Sequence, residues 1–422
     1  MLKISTTYPK ARKVLEQYRK YVVQQGRSIL AKQKSSKDGI YRKLKGIINH
    51  KFNRDIRGRF TGGSQLPTLS FVMPSYAEFV DNSTNIIGVQ NYNLPEKIKN
   101  EILYLSSSQN IDSFRLRDLD EKLGLFFADK VKEFMEELLV KPEDIKAIGS
   151  HGQTIKHEPN SAKPFSLQIG NPQLLSNELN LDIVANFRDD DIEAGGQGAP
   201  LSPLFHREIF KADKNRLIVN IGGITNLTYL SDKGIVGFDT GPGNCLIDAW
   251  SRKNGIGEFD DKGEWARSGE INQDLLGLML EDDYFNRKYP KSTGPDYFSM
   301  DWLLKLLEKL KSEIIEKDIQ ATLLELTAMT LCKDIEQIRV NTEEIYFCGG
   351  GSHNLFLMER ISDLSKRRCL TTQELGVEPD YLEAICFAWL ARERVKGTQF
   401  DMQDITGSVG KVFLGKIYNP TI

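Results

Sequence analysis

The sequence predicts an α/β fold of two domains with a ligand cleft between them, and three stretches carry that expectation. IYFCGGGSHN (345–354) and LIVNIGGITN (217–226) are apolar runs that stop at glycines, and GFDTGPGN (237–244) adds an acidic turn after the second. A strand that delivers a turn without side chains lets backbone N–H groups approach a nucleotide. Two such turns, with an aspartate between them, point to a nucleotide site at strand ends in the cleft.

Composition sets the outer limits. A chain of 422 residues is too long for one ordinary core and fits two or three domains. No apolar run approaches the ~20 residues that span a bilayer, and the basic N-terminus has no apolar segment or cleavage site of a signal peptide. The five cysteines are scattered without a CxxC pair, which predicts reduced thiols in the cytoplasm and neither a disulfide framework nor a cysteine zinc site. The five histidines form no HExxH, so metalloprotease chemistry is unsupported. The net charge of −2 conceals an asymmetry: residues 1–60 hold 17 Lys/Arg against 3 Asp/Glu. Such an arm is either a solvated, partly helical extension or a contact for nucleic acid or an anionic surface.

Along the chain, residues 9–33 carry a loose helical pattern, and 52–68 are basic and glycine-rich, as in a linker or irregular arm. From about residue 85 the texture becomes that of an α/β enzyme. NIIGVQNYNL (85–94) reads as a strand, and Pro95 opens a helix with Ile98, Ile102 and Leu105 on one face. Leu119, Leu123, Phe127, Val131, Met135 and Leu138 recur at helical spacing as a core stripe. AIGSHGQTI (147–155) and LDIVANF (181–187) read as strands running into polar turns. No internal repeat is detectable.

The turns carry the chemistry. In IGGITN, Gly222 and Gly223 bring backbone close to phosphate oxygens and Asn226 adds a side-chain donor; the alternative is a plain hairpin turn. In GFDTGPGN, Asp239 stands at a strand end where a carboxylate can hold Mg2+ directly or through water, with Gly241 and Asn244 beside it; the alternative is an Asx-turn in a Gly/Pro loop. Gly349, Gly350, Gly351 and Asn354 form the adenosine side of the clamp, or a tight strand–helix crossover. No GKS or GKT follows any of these glycines, which excludes P-loop machinery. FRDDDIEAGGQGAP (187–200) sets three aspartates beside a glycine-rich loop; either their repulsion raises one pKa toward that of a general base or this is a solvated acidic turn, the reading taken for Asp189 and Asp190. SHGQT (150–154) offers His151, Gln153 and Thr154 as a hydrogen-bonding set suited to a sugar. KSTGPDYF (291–298) is either another polar site turn or a helix-capping loop.

Together these blocks resemble the 1,6-anhydro-N-acetylmuramic acid kinases of the actin/hexokinase-like (ribonuclease H-like) superfamily. GSHGQTIKHEP, SLQIGNPQLL, FRDDDIEAGGQGAPL, RLIVNIGGITNL, GFDTGPGNCLIDAW, KSTGPDYF, ATLLELTA, FCGGGSHN and DYLEAICFAWLA come in the family's order between about residues 85 and 419. The resemblance implies a cytoplasmic, dimeric enzyme of cell-wall recycling, with ATP, Mg2+ and an anhydro-amino-sugar bound in the interdomain cleft. It places the catalytic aspartate at Asp191 and the sugar against His151, Gln153, Thr154 and Gln197. The phosphates fall to the Gly222–Gly223 turn and adenosine to Gly349–Gly351.

The expected domains are a basic segment 1–84, a first kinase-like domain 85–210 and a second 211–422. The family begins with a hairpin bearing a GTSxDG-type phosphate turn, and residues 1–84 contain no such turn; the nearest candidate is GRFTGGS (58–64). Strand 85–94 resembles the family's third strand, so the first two are expected to be missing. Unless residues 1–84 supply replacements, the sheet has an open edge and phosphoryl transfer is weakened. The competing expectation is a non-catalytic, kinase-like binding protein with a basic docking arm.

Overall fold

A computed structural model describes residues 59–65, 71–80, 83–108, 110–310, 312–338, 341–342 and 344–421. The basic segment up to residue 58, with its expected helix and its nucleic-acid or anionic-surface contacts, lies outside the described residues.

Two sheets share one strand plan. In the first, β1 (Arg59–Gln65), β2 (Phe71–Val80) and β3 (Ser83–Val89) form an antiparallel meander, with β4 (Tyr92–Asn93) also against β2. Strand β1 then runs parallel to β5 (Ala147–Ser150), and β5 parallel to β8 (Ile183–Ala185). A side hairpin of β6 (Gln153–Glu158) and β7 (Phe165–Ile169) follows β5. In the second sheet, β9 (Arg216–Ile221), β10 (Ile224–Ser231) and β11 (Gly234–Pro242) repeat the meander. Parallel β12 (Glu344–Cys348) and β13 (Arg368–Thr371) extend it from β9. The orders β8-β5-β1-β2-β3 and β13-β12-β9-β10-β11 are the same pattern twice, the doubled ribonuclease H-like plan of actin/hexokinase-like proteins. No sequence repeat announces it, because a strand plan constrains hydrophobic pattern and hardly residue identity.

Here the structure corrects the sequence reading. The two strands expected to be missing are present: residues 59–65 and 71–80 supply β1 and β2, and β1 lies inside the sheet between β2 and β5, while the segment joining them lies outside the described residues. Gly62 and Gly63 pair with Gly149 and Ser150, so RFTGGS of that candidate belongs to the first strand. The single strand expected over 85–94 is divided between β3 and β4. The acidic turn after β8 contains a short helix, Asp189–Glu193. The end of the chain does not stay with the second sheet. Helix Leu382–Lys396 packs against β1 and β5, and β16 (Lys416–Tyr418) pairs with β8; β14 (Phe400–Asp401) and β15 (Lys411–Val412) form a small ribbon between them.

The packing follows from these patterns. In β9, Leu217, Ile218, Val219 and Ile221 are all fully buried, as an apolar run covered on both faces requires. The predicted stripe lies on helix Ser113–Glu137, which Asp112 caps by accepting from the N–H groups of Phe114 and Arg115; its Leu119, Leu123, Phe127, Val131 and Met135 are buried. Helix Leu382–Lys396 approaches so closely that a Cβ on Gly149 would stand 2.1 Å from the Phe387 carbonyl oxygen. A core of Ala77, Ala147 and Val184 from one sheet with Ile218, Tyr346 and Cys348 from the other joins the halves. Both sheets belong to one compact unit, Gly58–Ile422.

Candidate functional site

A cavity of about 1110 Å³ opens where strand ends from both sheets converge. Its walls include His151 after β5, Arg188 after β8, the Gly222–Gly223 turn, Asp239 on β11, Cys348 at the end of β12 and Glu383 on the helix Leu382–Lys396. Carboxyl ends of strands are where open α/β sheets bind ligands.

Arg188 organises the centre. Its Nη1 donates to the Gly198 carbonyl at 2.7 Å and its Nη2 to His151 Nε2 at 2.9 Å. A guanidinium only donates, so His151 Nε2 accepts, and Nδ1 carries the proton that goes to the Gly152 carbonyl at 2.9 Å. Burial, then the Arg188 charge, pushes the His151 pKa down to about 3, so the ring is neutral. Burial also lowers the Arg188 pKa, against the charges of Asp239, Glu383 and Asp191. Glu383 is raised to about 7 by burial, with Arg188 acting the other way.

Asp191 stands behind this wall. It is fully buried; Oδ2 accepts the Gly198 N–H at 2.7 Å and Oδ1 the Thr406 hydroxyl at 2.6 Å. The peptide of Gly198 is thus gripped by Asp191 at its N–H and by Arg188 at its C=O. A Cβ on Gly196 would collide with Asp191 Oδ2, so the second glycine of GGQG leaves room for that carboxylate. The other two aspartates face elsewhere: Asp189 pairs with Lys416 at 3.0 Å, and burial raises the Asp190 pKa.

Asp239 comes from the opposite sheet. Its Oδ2 accepts the Thr293 N–H at 3.1 Å, and its own N–H donates to the Lys291 carbonyl at 3.1 Å. Burial raises its pKa to about 7, offset in part by Thr293, Arg188 and Lys291. Next to Thr293, the Ser292 hydroxyl donates to Gln197 Oε1 at 3.0 Å and lies 3.3 Å from His157 Nε2. The turn KSTG is therefore part of the site, while Lys291 itself is buried against Asp334 at 2.9 Å.

The predicted residues divide into two groups. His151, Gln153, Thr154, Gly222, Gly223, Asn226 and Asp239 line the cavity. Asp191, Gln197, Gly241, Asn244, Gly349, Gly350, Gly351 and Asn354 do not. Gln197 reaches Ser292 instead of open space. The carbonyls of Gly222 and Gly223 accept from the N–H groups of Gly243, Asn244 and Cys245, so helix Asn244–Lys253 supports the hairpin turn with its own N-terminus. Gly349 has φ +79°, and a Cβ there would be 2.3 Å from Asn220 Oδ1; one on Gly351 would be 2.2 Å from Ile221 Cγ2. Those two glycines let the turn close on β9. Only Gly350 has open space, its nearest atom being 4.0 Å away. Asn354 caps helix Leu355–Ser365 through the Leu357 N–H.

Sequence reasoning passed over Arg188 and Glu383. Both lie inside blocks singled out for other residues, and a lone arginine before three aspartates reads as their solvated partner. The signal was the apolar setting: Phe187 precedes Arg188, and Glu383 sits in LEAICFAWLA, where burial forces charged groups to find one another.

The similarities to known proteins agree with this geometry. A family model described as anhydro-N-acetylmuramic acid kinase matches residues 68–420, beginning after β1 and ahead of β2. A protein of that name from Coxiella burnetii is 41% identical over 338 residues, covering 79% of this chain and 90% of its own length. One from Pseudomonas savastanoi is 41% identical over 341 residues, covering 80% and 93%. One from Aliivibrio fischeri is 39% identical over 338 residues, covering 79% and 92%.

Proposed function

The chain belongs to the anhydro-N-acetylmuramic acid kinase family, and from that premise we propose that it is an ATP-dependent phosphotransferase acting on 1,6-anhydro-N-acetylmuramic acid. The products are N-acetylmuramic acid 6-phosphate and ADP. The observation that carries this reading is the convergence of Arg188, His151, Asp239 and the Gly222–Gly223 turn on one cavity. A non-catalytic role is disfavoured, since the family model and the curated relatives at about 40% identity are all described as kinases.

The chemistry needs a base for the water that attacks the anomeric carbon, and charge stabilisation as the released O6 attacks the γ-phosphate. We assign the base to Asp191. Its carboxylate is oriented by Gly198 and Thr406, and the Thr406 hydroxyl must yield Oδ1 to the reacting water. The sugar lies against His151, Gln153 and Thr154, where the neutral His151 ring, fixed by Arg188, presents no competing charge. The phosphates lie at the Gly222–Gly223 turn and adenosine toward Gly350.

For Mg2+ the residues fit. Among the described residues no three acidic, histidine or cysteine side chains form a protein cage, and this metal usually takes one or two carboxylates plus substrate phosphates. Asp239, a cavity-lining carboxylate beside the phosphate turn, would hold it. Bound there, the ion would neutralise charge on the transferred phosphoryl group. The enzyme works in the cytoplasm, in keeping with five free cysteines, and among the described residues no helix is long and apolar enough to cross a membrane. A homodimer follows the family resemblance.

The test is ATP-dependent conversion of the anhydro-sugar by purified protein. We expect Asp191→Asn to abolish turnover at saturating Mg2+, and Asp239→Asn to raise the Mg2+ needed for half-maximal rate. No turnover by the unaltered chain at high enzyme concentration would sink the reading. Full activity in Asp191→Asn would move the base to another carboxylate.

A further inference from the structure

The two carboxylates assigned to the reaction come from different sheets, and one hydrogen-bonded path joins them. Thr293 N–H donates to Asp239 Oδ2 at 3.1 Å. The adjacent Ser292, 4% exposed, donates through its hydroxyl to Gln197 Oε1 at 3.0 Å. The Gln197 N–H donates to the Thr406 carbonyl at 2.9 Å, and the Thr406 hydroxyl donates to Asp191 Oδ1 at 2.6 Å. Since the Ser292 proton goes to Gln197, its oxygen accepts from His157 Nε2 at 3.3 Å, which leaves His157 Nδ1 to accept from the Ser166 hydroxyl at 2.9 Å. Gln197 Nε2 donates in turn to Asn160 Oδ1 at 3.0 Å.

We propose that Ser292 is a clasp and positioning residue: it ties the turn of the second sheet to Gln197 and His157 of the first, holding the cavity closed while registering Asp191 against Asp239. The proposal rests on the roles given to those two carboxylates above. Ser292 touches neither reacting atom. It acts through Gln197 and Thr406 on one side and through the peptide to Thr293 on the other. Other contacts also bridge the halves beside the cavity: Ser202 Oγ to Asn226 Oδ1 at 3.2 Å, His206 Nδ1 to the Thr228 hydroxyl at 2.8 Å, and Lys99 Nζ to the half-exposed Glu258 at 2.7 Å; Ser292 differs in being linked to both carboxylates. A buried hydroxyl between two neutral partners is suited to opening and reclosing, because each hydrogen bond exchanges with water at small net cost.

The geometry makes two separable demands. Removing the hydroxyl frees the turn, so the cavity opens more often and its wall becomes reachable. Cys245, a half-buried thiol on that wall, reports this without any turnover. Removing it also loosens the two carboxylates relative to each other, which lowers kcat more than it raises KM for either substrate.

The experiment compares the full-length protein with Ser292→Ala, Ser292→Thr and the surface variant Asn160→Ala. Cys245 alkylation is followed by peptide mass spectrometry, and steady-state kinetics run in parallel. We expect Ser292→Ala to be labelled about fivefold faster or more and to lose about tenfold in kcat, with KM within about twofold. Ser292→Thr, which keeps the hydroxyl, returns both toward the unaltered values, and Asn160→Ala shifts them the same way by less. Alkylation of Ser292→Ala at the unaltered rate overturns the clasp, whatever the kinetics. Faster alkylation with kcat unchanged overturns the positioning role. Absence of turnover in the unaltered protein defeats the kinase reading alone, since the labelling comparison still decides whether the clasp exists. Should Ser292→Ala fold poorly, Asn160→Ala, altered at an exposed position, decides by the same two readouts.

Discussion

Arg188 Nη2 donates to His151 Nε2 at 2.9 Å, so a permanent cation rests on a histidine that must stay neutral. The two side chains come from the turns after β5 and β8, adjacent parallel strands. The bond fixes one tautomer and stops Arg188 from closing on Asp239 or Glu383 as a simple ion pair. His151→Phe keeps a ring against Phe387, whose centroid is 4.5 Å away, but removes the acceptor. The expected cost is about 1–3 kcal/mol of stability, from a buried donor left without a partner. Activity should fall by more than stability predicts. Urea midpoints and kcat/KM measured side by side check this, and a variant with unaltered kcat/KM contradicts the arrangement.

Burial sets a second expectation at His206. The ring is 1% exposed and lies 2.8 Å from the Thr228 hydroxyl, and burial alone pushes its pKa down to about 3. The unfolded chain therefore binds a proton near pH 6.5 that the folded chain refuses. Its effect on stability is absent above pH 6.5 and grows as pH falls toward 3. Between pH 6.5 and 5 the loss from this one group is about 2 kcal/mol. Asp239 has the opposite sign: raised to about 7, it removes stability as pH climbs from 4 to 7. Whole-protein profiles mix these with the like contributions of His151 and Glu383, so the comparison must be between His206→Gln and the unaltered chain. The variant should lose less stability between pH 7 and pH 5, as read by denaturant midpoints.

Lys291 and Asp334 form a buried pair, each 3% exposed at the side chain. The ammonium also faces the rings of Phe238 and Tyr284 at 5.6 and 5.0 Å. Burial raises Asp334 to about 6, with Lys291 holding it down. Lys291→Met leaves the buried carboxylate without its hydrogen-bonded partner, with only the charge of Lys333 to offset it, and should destabilise by about 3 kcal/mol. Lys291→Met combined with Asp334→Leu removes both charges and should recover most of that loss. Thermal unfolding of the three proteins decides, and a double variant no better than the single one defeats the account.

What the sequence disclosed and what it hid have physical reasons. The strands after residue 85 and the stripe from Leu119 to Met135 were legible because burial on one face imposes a period. The cavity-lining set of His151, Gln153, Thr154, Gly222, Gly223 and Asp239 was legible because ligand turns sit where apolar runs stop. The first hairpin was not. RFTGGSQ has no apolar alternation, and its strand character comes from being sandwiched between β2 and β5, a long-range fact. Arg188 was hidden for a similar reason: its partners, His151 and Gly198, are 37 and 10 residues away.

The triple glycine shows how one motif can hold two demands. Gly349 lies at φ +79° with Asn220 Oδ1 and the Ile221 carbonyl within 2.7 Å of where a Cβ would be; Gly351 has Ile221 Cγ2 at 2.2 Å. Their cause is the approach of the turn to β9; none of the three glycines is in the cavity wall. Gly350 has nothing nearer than Asn244 Nδ2 at 4.0 Å, and packing gives no reason for a glycine there. A ligand that needs the space would. Gly349→Ala should therefore destabilise the protein, by about 1–3 kcal/mol for the left-handed backbone and more for the clash. Gly350→Ala should leave the unfolding midpoint unchanged and weaken ATP binding, as read by calorimetry. If Gly350→Ala binds ATP as tightly as the unaltered chain, adenosine does not lie against this turn. The glycines would then serve the crossover from β12 to helix Leu355–Ser365 and nothing else.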